Sequence, residues 1–163
     1  MDDQPTRDEP VGRTSDRHTE LLEAYRSLAS PYYGWAKANI GDLRILDWGY
    51  GRLAMSWAIG GDADARMILH QGFMFGGHVA SAADHIASLV TMTVLPTNED
   101  RFRTSRLETK FFRPVKSPSA TIDAQVINVS RRLIHIEADI LNAEGKLAVR
   151  VEATQVRQTA SGG

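Results

Sequence analysis

The segment HQGFMFGGHVASAADHIASLVTMTV, residues 70–94, is long, largely apolar and rich in small side chains. From Gly76 to about Thr93 its apolar residues recur at helical spacing, and Pro96 lies just beyond. One carboxylate, Asp84, stands in the middle of this predicted helix. A carboxylate in an apolar environment is costly unless it is paired or used. Asp84 therefore lies on a solvent face, supports a polar network or takes part in chemistry.

The composition predicts one soluble globular domain. The chain has 163 residues, of which 42% are hydrophobic and 24% charged, enough for one core. A net charge of -1 does not indicate a nucleic-acid partner. The absence of cysteine excludes thiol catalysis and thiolate metal sites. The charged start MDDQPTRDEPVGRTSDR carries no secretory signal, and the apolar helix contains histidines and a carboxylate. We expect a cytoplasmic protein with no membrane partner.

The chain divides into four parts by composition. Residues 1–16 are polar and aperiodic and predict a disordered tail, as do residues 159–163. Residues 17–41 show helical spacing, with a break or restart at Pro31, and predict an N-terminal helical extension. Residues 42–158 predict a single α+β domain.

Strand patterns flank the long helix on both sides. LRILDW and RLAMSWAI are separated by Gly49 and Gly51 and predict a hairpin, whereas GGDADARM predicts a loop. The last third contains four alternating segments, SRLETKFFRPV, ATIDAQVINVS, RLIHIEADIL and KLAVRVEATQV. Their short connections predict an antiparallel four-strand meander. The apolar helix would cover one face of this sheet.

On the helical wheel, four polar or small residues form one stripe. Gly77, Ser81, Asp84 and Ser88 follow one another at spacings of four, three and four. The stripe predicts that this side of the helix faces something small and specific. A solvated aspartate on an ordinary surface helix is the alternative.

The predicted helix begins at Gly76–Gly77. Its first N–H groups have no intrahelical acceptor, and the helix dipole is positive there, so this end can bind an anion or an oxyanion. A carboxylate about two turns further along would suit acyl transfer. A tight turn before the helix is the alternative interpretation of the glycine pair.

The order and spacing of these motifs resemble the hotdog-fold acyl-CoA thioesterases, in particular the phenylacetate-pathway (PaaI-like) and 4-hydroxybenzoyl-CoA thioesterase-like branch. The family pattern N/Q-x-x-G-x-x-H-G-G, followed seven residues later by an acid, is matched by Gly72, Gly76–Gly77 and Asp84. KFFRPV resembles the family's strand end, and SRRL and NAEGKL resemble its turns. The resemblance covers about residues 42–157.

The resemblance implies a hotdog fold, a long central helix wrapped by a five- to six-stranded antiparallel sheet, here with an extra N-terminal helix. It implies Asp84 as nucleophile or general base, the backbone N–H of Gly76 on the thioester carbonyl, and Ser88 on the water. It also implies an acyl-CoA substrate, a site between two subunits, and hence a homodimer or homotetramer. No cofactor is expected beyond the coenzyme A of the substrate.

Further residues are candidates for substrate contact. Arginine suits the phosphates of coenzyme A, although a solvated sheet edge is the alternative. A histidine on the helix could line the substrate tunnel or be a satisfied buried side chain, and the histidines lack metal-ligand spacing, so no metal site is expected. The candidates are His70, Gln71, Gly77, His78, Ser81, Arg113, Arg131 and Arg132.

Two positions depart from the family pattern. Phe75 stands where the family has histidine, and Leu69 where it has Asn or Gln, with His70 and Gln71 adjacent. Loss of one side-chain donor to the carbonyl lowers the rate of other enzymes roughly 10²–10³-fold. Two alternatives therefore stay open: another acyl-thioester reaction, such as dehydration or release from an acyl carrier protein, and a non-catalytic acyl-CoA-binding domain.

Overall fold

A computed structural model describes residues 12–158 as one antiparallel sheet packed around a central helix. The helices are α1 (Asp16–Arg26), α2 (Pro31–Asn39), α3 (Asp62–Ala65) and α4 (Gly76–Met92). The strands are β1 (Asp42–Gly49), β2 (Arg52–Ala58), β3 (Arg101–Phe111), β4 (Ser119–Val129), β5 (Leu133–Asn142) and β6 (Leu147–Gln158). The predicted long helix, the hairpin and the four later strands are confirmed.

The core lies between α4 and the inner face of the sheet. Ala82, Ala83 and Ile86 of α4 have no exposed surface, and small side chains on a helix allow a sheet to approach closely. The strands contribute their alternate residues to this layer, for example Ile122, Ile134, Ile136, Ile140, Val149 and Val151. Each fully buried branched side chain contributes about 1.5–3 kcal/mol, so this layer fixes the position of α4.

The sheet order corrects the predicted meander. The order is β1-β2-β4-β5-β6-β3, so β3 pairs with β6 and not with β4. Residues 112–118 cross the end of the sheet, with Val115 buried on the way. A connection of this length spans roughly 23 Å when extended. Three strand spacings amount to only about 14 Å. The short connection between β3 and β4 is therefore long enough to join strands that are not neighbours in the sheet. As a result, β3 lies at the edge of the sheet.

The N-terminal extension forms two helices that pack against β1. The break at Pro31 is confirmed: Pro31 is the first residue of α2, and the Ser30 hydroxyl accepts a hydrogen bond from the Tyr32 amide at 3.1 Å. Tyr25 of α1 and Tyr33 of α2 are both buried and meet edge to face, with ring centroids 5.5 Å apart. Their aromatic surfaces hold the two helices together and against the sheet.

Helix α1 begins one residue earlier than the extension predicted from the sequence. Ser15 is buried, accepts a hydrogen bond from the amide of His18, and donates its own amide to the carbonyl of Leu95 at 2.8 Å. The predicted disordered tail therefore extends too far at its C-terminal end. Residues 1–11 and 159–163 lie outside the described residues.

The segment GGDADARM contains the short helix α3 and not only a loop. Asp64 of this helix is fully buried, and one of its carboxylate oxygens accepts from the Gly60 amide at 3.2 Å. The carboxylate thus folds back on the turn that precedes it and stabilises one helical turn. In the described part of the chain, no helix is both long enough and apolar enough to cross a membrane.

Candidate active site

Asp84 lies midway along α4, half-buried beside the edge strand. The Thr104 hydroxyl of β3 donates to its Oδ1 at 2.6 Å, a short distance typical of a hydrogen bond to a charged carboxylate. Within residues 12–158, no protein donor lies within hydrogen-bond distance of Oδ2. One oxygen is therefore anchored, and the other is available to a ligand or to water.

The start of α4 presents unpaired backbone N–H groups. The amides of His78 and Val79 donate to the Phe75 carbonyl, but those of Gly76 and Gly77 have no acceptor in the described structure. The preceding segment is fixed by a hydrogen bond from the Met74 amide to a carbonyl of the β3–β4 connection. This helix end therefore presents two unpaired N–H donors at the positive end of a dipole.

The two serines of the predicted stripe lie on α4 as expected, but each hydroxyl already donates a hydrogen bond to a backbone carbonyl. Ser81 donates to the Gly77 carbonyl at 3.1 Å, and Ser88 donates to the backbone carbonyl of Asp84 at 2.9 Å. Both serine oxygens can still accept a hydrogen bond, but neither hydroxyl hydrogen is available for a ligand. The role of Ser88 in holding water stays a prediction.

The two histidines of α4 are buried and paired. His78 Nε2 lies 3.1 Å from Oδ1 of Asp64, which ties α3 to the first turn of α4. His85 lies between two phenols, those of Tyr25 and Tyr32. Both environments match the second interpretation of the sequence, in which these histidines are buried side chains with satisfied hydrogen bonds. Among the described residues, no three His, Asp or Glu side chains come together as metal ligands.

The hydrogen bonds around His85 define its tautomer. The Tyr25 hydroxyl donates to the Leu43 carbonyl at 3.0 Å, so it accepts from His85 Nε2 at 2.8 Å. His85 Nδ1 then accepts from the Tyr32 hydroxyl at 3.0 Å. Burial lowers the pKa of His85 to about 4, against a smaller opposing effect of Asp84. The imidazole is therefore neutral near pH 7, and the network joins α1, α2 and β1 to α4.

The sequence did not indicate the partners of these histidines. Tyr25 and Tyr32 are more than fifty residues from His85, and Asp64 lies in a segment interpreted as a loop. Thr104 was likewise not singled out. The sequence does place each histidine on the buried face of the helix. A buried histidine requires a hydrogen-bond partner, but its position on the helix does not identify that partner.

The predicted substrate contacts do not all meet in one chain. His70 and Gln71 are exposed in a turn closed by a hydrogen bond from Gly72 to Leu69. Arg113 follows β3 and donates to the Leu147 carbonyl. The other two arginines, Arg131 and Arg132, lie in the β4–β5 turn at the opposite end of the sheet, roughly 30 Å away.

An apolar groove runs beside the start of α4. Its volume is about 360 Å³. It reaches Gly76, where an added Cβ would lie 3.5 Å from the Phe111 ring. The segment just before α4 contributes Phe73 and Met74 to it. The lining includes Phe73, Met74, Val79, Phe111, Phe112 and Val115.

The segment that contains α4 and most of the later strands is similar to a known protein family. The model of the thioesterase superfamily matches residues 71–149. A thioesterase from Haemophilus influenzae has a similar structure, with 23% identity, a TM-score of 0.70, and coverage of 86% of this chain and 92% of that one. A phenylacetic acid degradation-related protein from Ralstonia eutropha shows 19% identity and a TM-score of 0.69, covering 83% and 98%.

A hypothetical thioesterase protein from Streptococcus pneumoniae, whose crystal structure contains coenzyme A, shows 17% identity and a TM-score of 0.62, covering 71% of this chain and 85% of that one. None of the curated protein sequences matches the chain significantly. The resemblance to the hotdog-fold thioesterases and the hotdog fold itself are confirmed.

Proposed function

From the match of residues 71–149 to the thioesterase superfamily and from the hotdog fold, we propose that this protein hydrolyses an acyl-CoA thioester, with Asp84 as its reactive carboxylate. One observation carries the proposal. Helix α4 holds a carboxylate with one anchored and one open oxygen, and the same helix begins with two unpaired N–H groups. These are the two groups that acyl transfer requires.

The chemistry divides between the two groups. The N–H of Gly76 donates to the thioester carbonyl oxygen and stabilises the negative charge that develops there. Asp84 either attacks the carbonyl carbon or takes a proton from water that attacks it. If water attacks, the carbon–sulfur bond breaks, the proton held by Asp84 passes to the departing thiolate, and the carboxylic acid is released. If Asp84 attacks, the carbon–sulfur bond breaks to leave a mixed anhydride on Asp84, and the thiolate takes a proton from solvent. Water then hydrolyses the anhydride to the carboxylic acid and regenerates Asp84.

The distance along α4 supports a site shared by two subunits. Gly76 and Asp84 are eight residues apart, which corresponds to about 12 Å along a helix axis. One thioester carbonyl cannot meet both groups of the same chain. The edge strand β3 offers its unpaired backbone to a second copy, and a two-fold pairing there would make the α4 helices antiparallel. The N–H groups of one subunit would then approach Asp84 of the other, in a homodimer or homotetramer.

The groove beside Gly76 supports a small or aromatic acyl group. It is lined by aromatic and aliphatic side chains and adjoins the N–H groups that would hold the carbonyl. Coenzyme A is the proposed leaving group because a neighbouring structure contains it. The exposed Arg113, Arg131 and Arg132 are the proposed phosphate contacts, contributed by different subunits because the ends of one sheet are too far apart.

The test is release of free thiol from short-chain, long-chain and aromatic acyl-CoAs. We expect turnover in the wild type and loss of nearly all of it in Asp84→Asn, which keeps the shape of the side chain. Asp123→Asn, on the exposed face of β4, is the matched control and should behave as wild type. Full turnover in Asp84→Asn would remove Asp84 from the mechanism.

A non-catalytic acyl-CoA-binding function is the second candidate. The observation that favours it is Phe75, which stands at the family's histidine position with 51% of its surface exposed and supplies no polar group to the carbonyl. Calorimetric binding of acyl-CoA by folded protein that releases no thiol would select this function over hydrolysis.

A further inference from the structure

Gln155 of β6 is an unexplained polar group in the core. Its side chain is fully buried, yet neither Nε2 nor Oε1 has a hydrogen-bond partner in the described part of the protein. Buried amides are normally paired with protein groups or with ordered water, because desolvation without a partner is costly. Gln155 therefore calls for a partner other than residues 12–158 of its own chain.

The strand register places this amide beside the candidate site. Gln155 is directly opposite Thr104 on β3. Side chains of directly opposed residues point to the same face, about 5 Å apart. Thr104 faces α4, since its hydroxyl donates to Asp84 at 2.6 Å. The unpaired amide thus lies next to the Thr104–Asp84 pair and on the same side of the sheet.

The hydrogen-bonding groups at this point complement one water molecule. Gln155 offers both a donor and an acceptor, and Asp84 offers an oxygen without a protein donor. Ser88 is less suited to orient water by donation, because its hydrogen is already used by the carbonyl of Asp84. Water can donate to the carboxylate and to Oε1 while it accepts from Nε2.

We propose that Gln155 is a positioning residue that holds the attacking water against Asp84. This inference rests on the proposed hydrolysis and selects its general-base version. The water gives a proton to Asp84, and its oxygen bonds to the thioester carbonyl carbon. The carbon–sulfur bond then breaks, and the proton on Asp84 passes to the departing thiolate.

The kinetic test is Gln155→Met, which keeps the volume and removes the amide. We expect kcat to fall about tenfold or more with KM nearly unchanged, because the water loses its orientation. The melting temperature should be unchanged or higher, since an unpaired buried amide is replaced by an apolar group. Gln125→Met, exposed on β4, is the matched control. An unchanged kcat, or a kcat that falls only together with the melting temperature, would overturn the proposal.

A second measurement does not depend on turnover. A high-resolution crystal structure of the wild type should show an ordered water within hydrogen-bond distance of the Gln155 amide and Asp84, and Gln155→Met should lack it. An empty position in the wild type would overturn the water site even if the enzyme is active. A water present in a protein that cleaves no thioester would support the site and reject the proposed hydrolysis.

Discussion

The phenol oxygen of Tyr25 lies 2.8 Å from Nε2 of His85, and this hydrogen bond joins α1 to the helix that carries Asp84. The neighbouring bond from Tyr32 to His85 does the same for α2. The N-terminal helices are therefore fixed to α4 by polar contacts in addition to apolar packing. Changes at these residues should affect stability first.

Tyr25→Phe should lower the free energy of unfolding by about 1–3 kcal/mol. The substitution removes a buried hydroxyl and leaves the Nε2 hydrogen of His85 without its acceptor. Urea unfolding followed by circular dichroism measures the change. Tyr50→Phe is the matched control, because Tyr50 is 46% exposed. Equal effects of the two substitutions would contradict the buried hydrogen bond.

His85 should make the protein less stable in mild acid. Its folded-state pKa of about 4 lies below the ordinary value of 6.5, so the unfolded chain takes up the proton more readily. The contribution of neutral His85 to the free energy of unfolding is complete above pH 6.5 and is lost as the pH falls toward 4. At pH 5 the loss amounts to about 2 kcal/mol.

Unfolding free energies at pH 7.5 and pH 5 measure this effect. The difference between the two pH values should shrink in His85→Gln, which has no titrating ring. A residual difference is expected from His18, whose pKa is also lowered by burial. An identical pH dependence in wild type and variant would show that His85 is not the responsible group.

Thr104→Val should lower kcat about tenfold or more while the protein remains folded. The methyl group replaces the hydroxyl that anchors Asp84, and hydrogen bonds to charged groups contribute about 1.5–3 kcal/mol. Thiol-release kinetics and thermal unfolding measure the two effects. Thr121→Val, exposed on β4, should change neither. A fully active Thr104→Val would show that the anchor does not matter for turnover.

Mixed dimers should restore activity that both parent variants lack. Asp84→Asn removes the carboxylate, and Gly76→Pro removes one N–H at a helix position where proline is favoured. In a refolded equal mixture, half of the dimers should contain one intact site, giving about a quarter of the wild-type rate.

The matched control for the backbone change is Gly76→Ala, which keeps the N–H and brings its Cβ within ordinary contact distance of Phe111. This variant should remain active alone. An inactive mixture of Asp84→Asn with Gly76→Pro, in dimers shown to exchange subunits, would place both groups of a site in one chain.

Phe112→Ala should lower kcat/KM for an aromatic acyl-CoA by about tenfold, and much less for acetyl-CoA. Phe112 lines the groove beside Gly76, so its removal takes apolar contact from a large acyl group only. Ile127→Ala, equally exposed on β4, is the control. An equal loss of kcat/KM for both substrates would show that this groove does not select the acyl group.

The elements of the fold could be predicted because their patterns are local. The apolar run of α4 begins at a glycine pair, and the β1–β2 turn contains Gly51, whose φ of +71° favours glycine. The strand order could not be predicted, because it depends on where residues 112–118 cross the sheet. That path is set by tertiary packing, including the burial of Val115.

Only part of the candidate site could be predicted from the sequence. Asp84 and Gly76 were predicted as candidates, because both lie on one helix and both match the pattern of the family that the sequence resembles. Thr104 and Gln155 were not, because they reach the site through pairing between β3 and β6. A polar residue in an alternating strand gives no indication of which carboxylate it will meet.

The position of β3 next to β6 also bears on how the chain folds during synthesis. Strand β3 is synthesised before β4 and β5, but its hydrogen-bonding partner is β6, the last strand to be synthesised. Such non-local pairing slows folding, and an unpaired strand is open to association with other chains. The nascent chain is therefore most vulnerable to aggregation in the interval before β6 emerges from the ribosome.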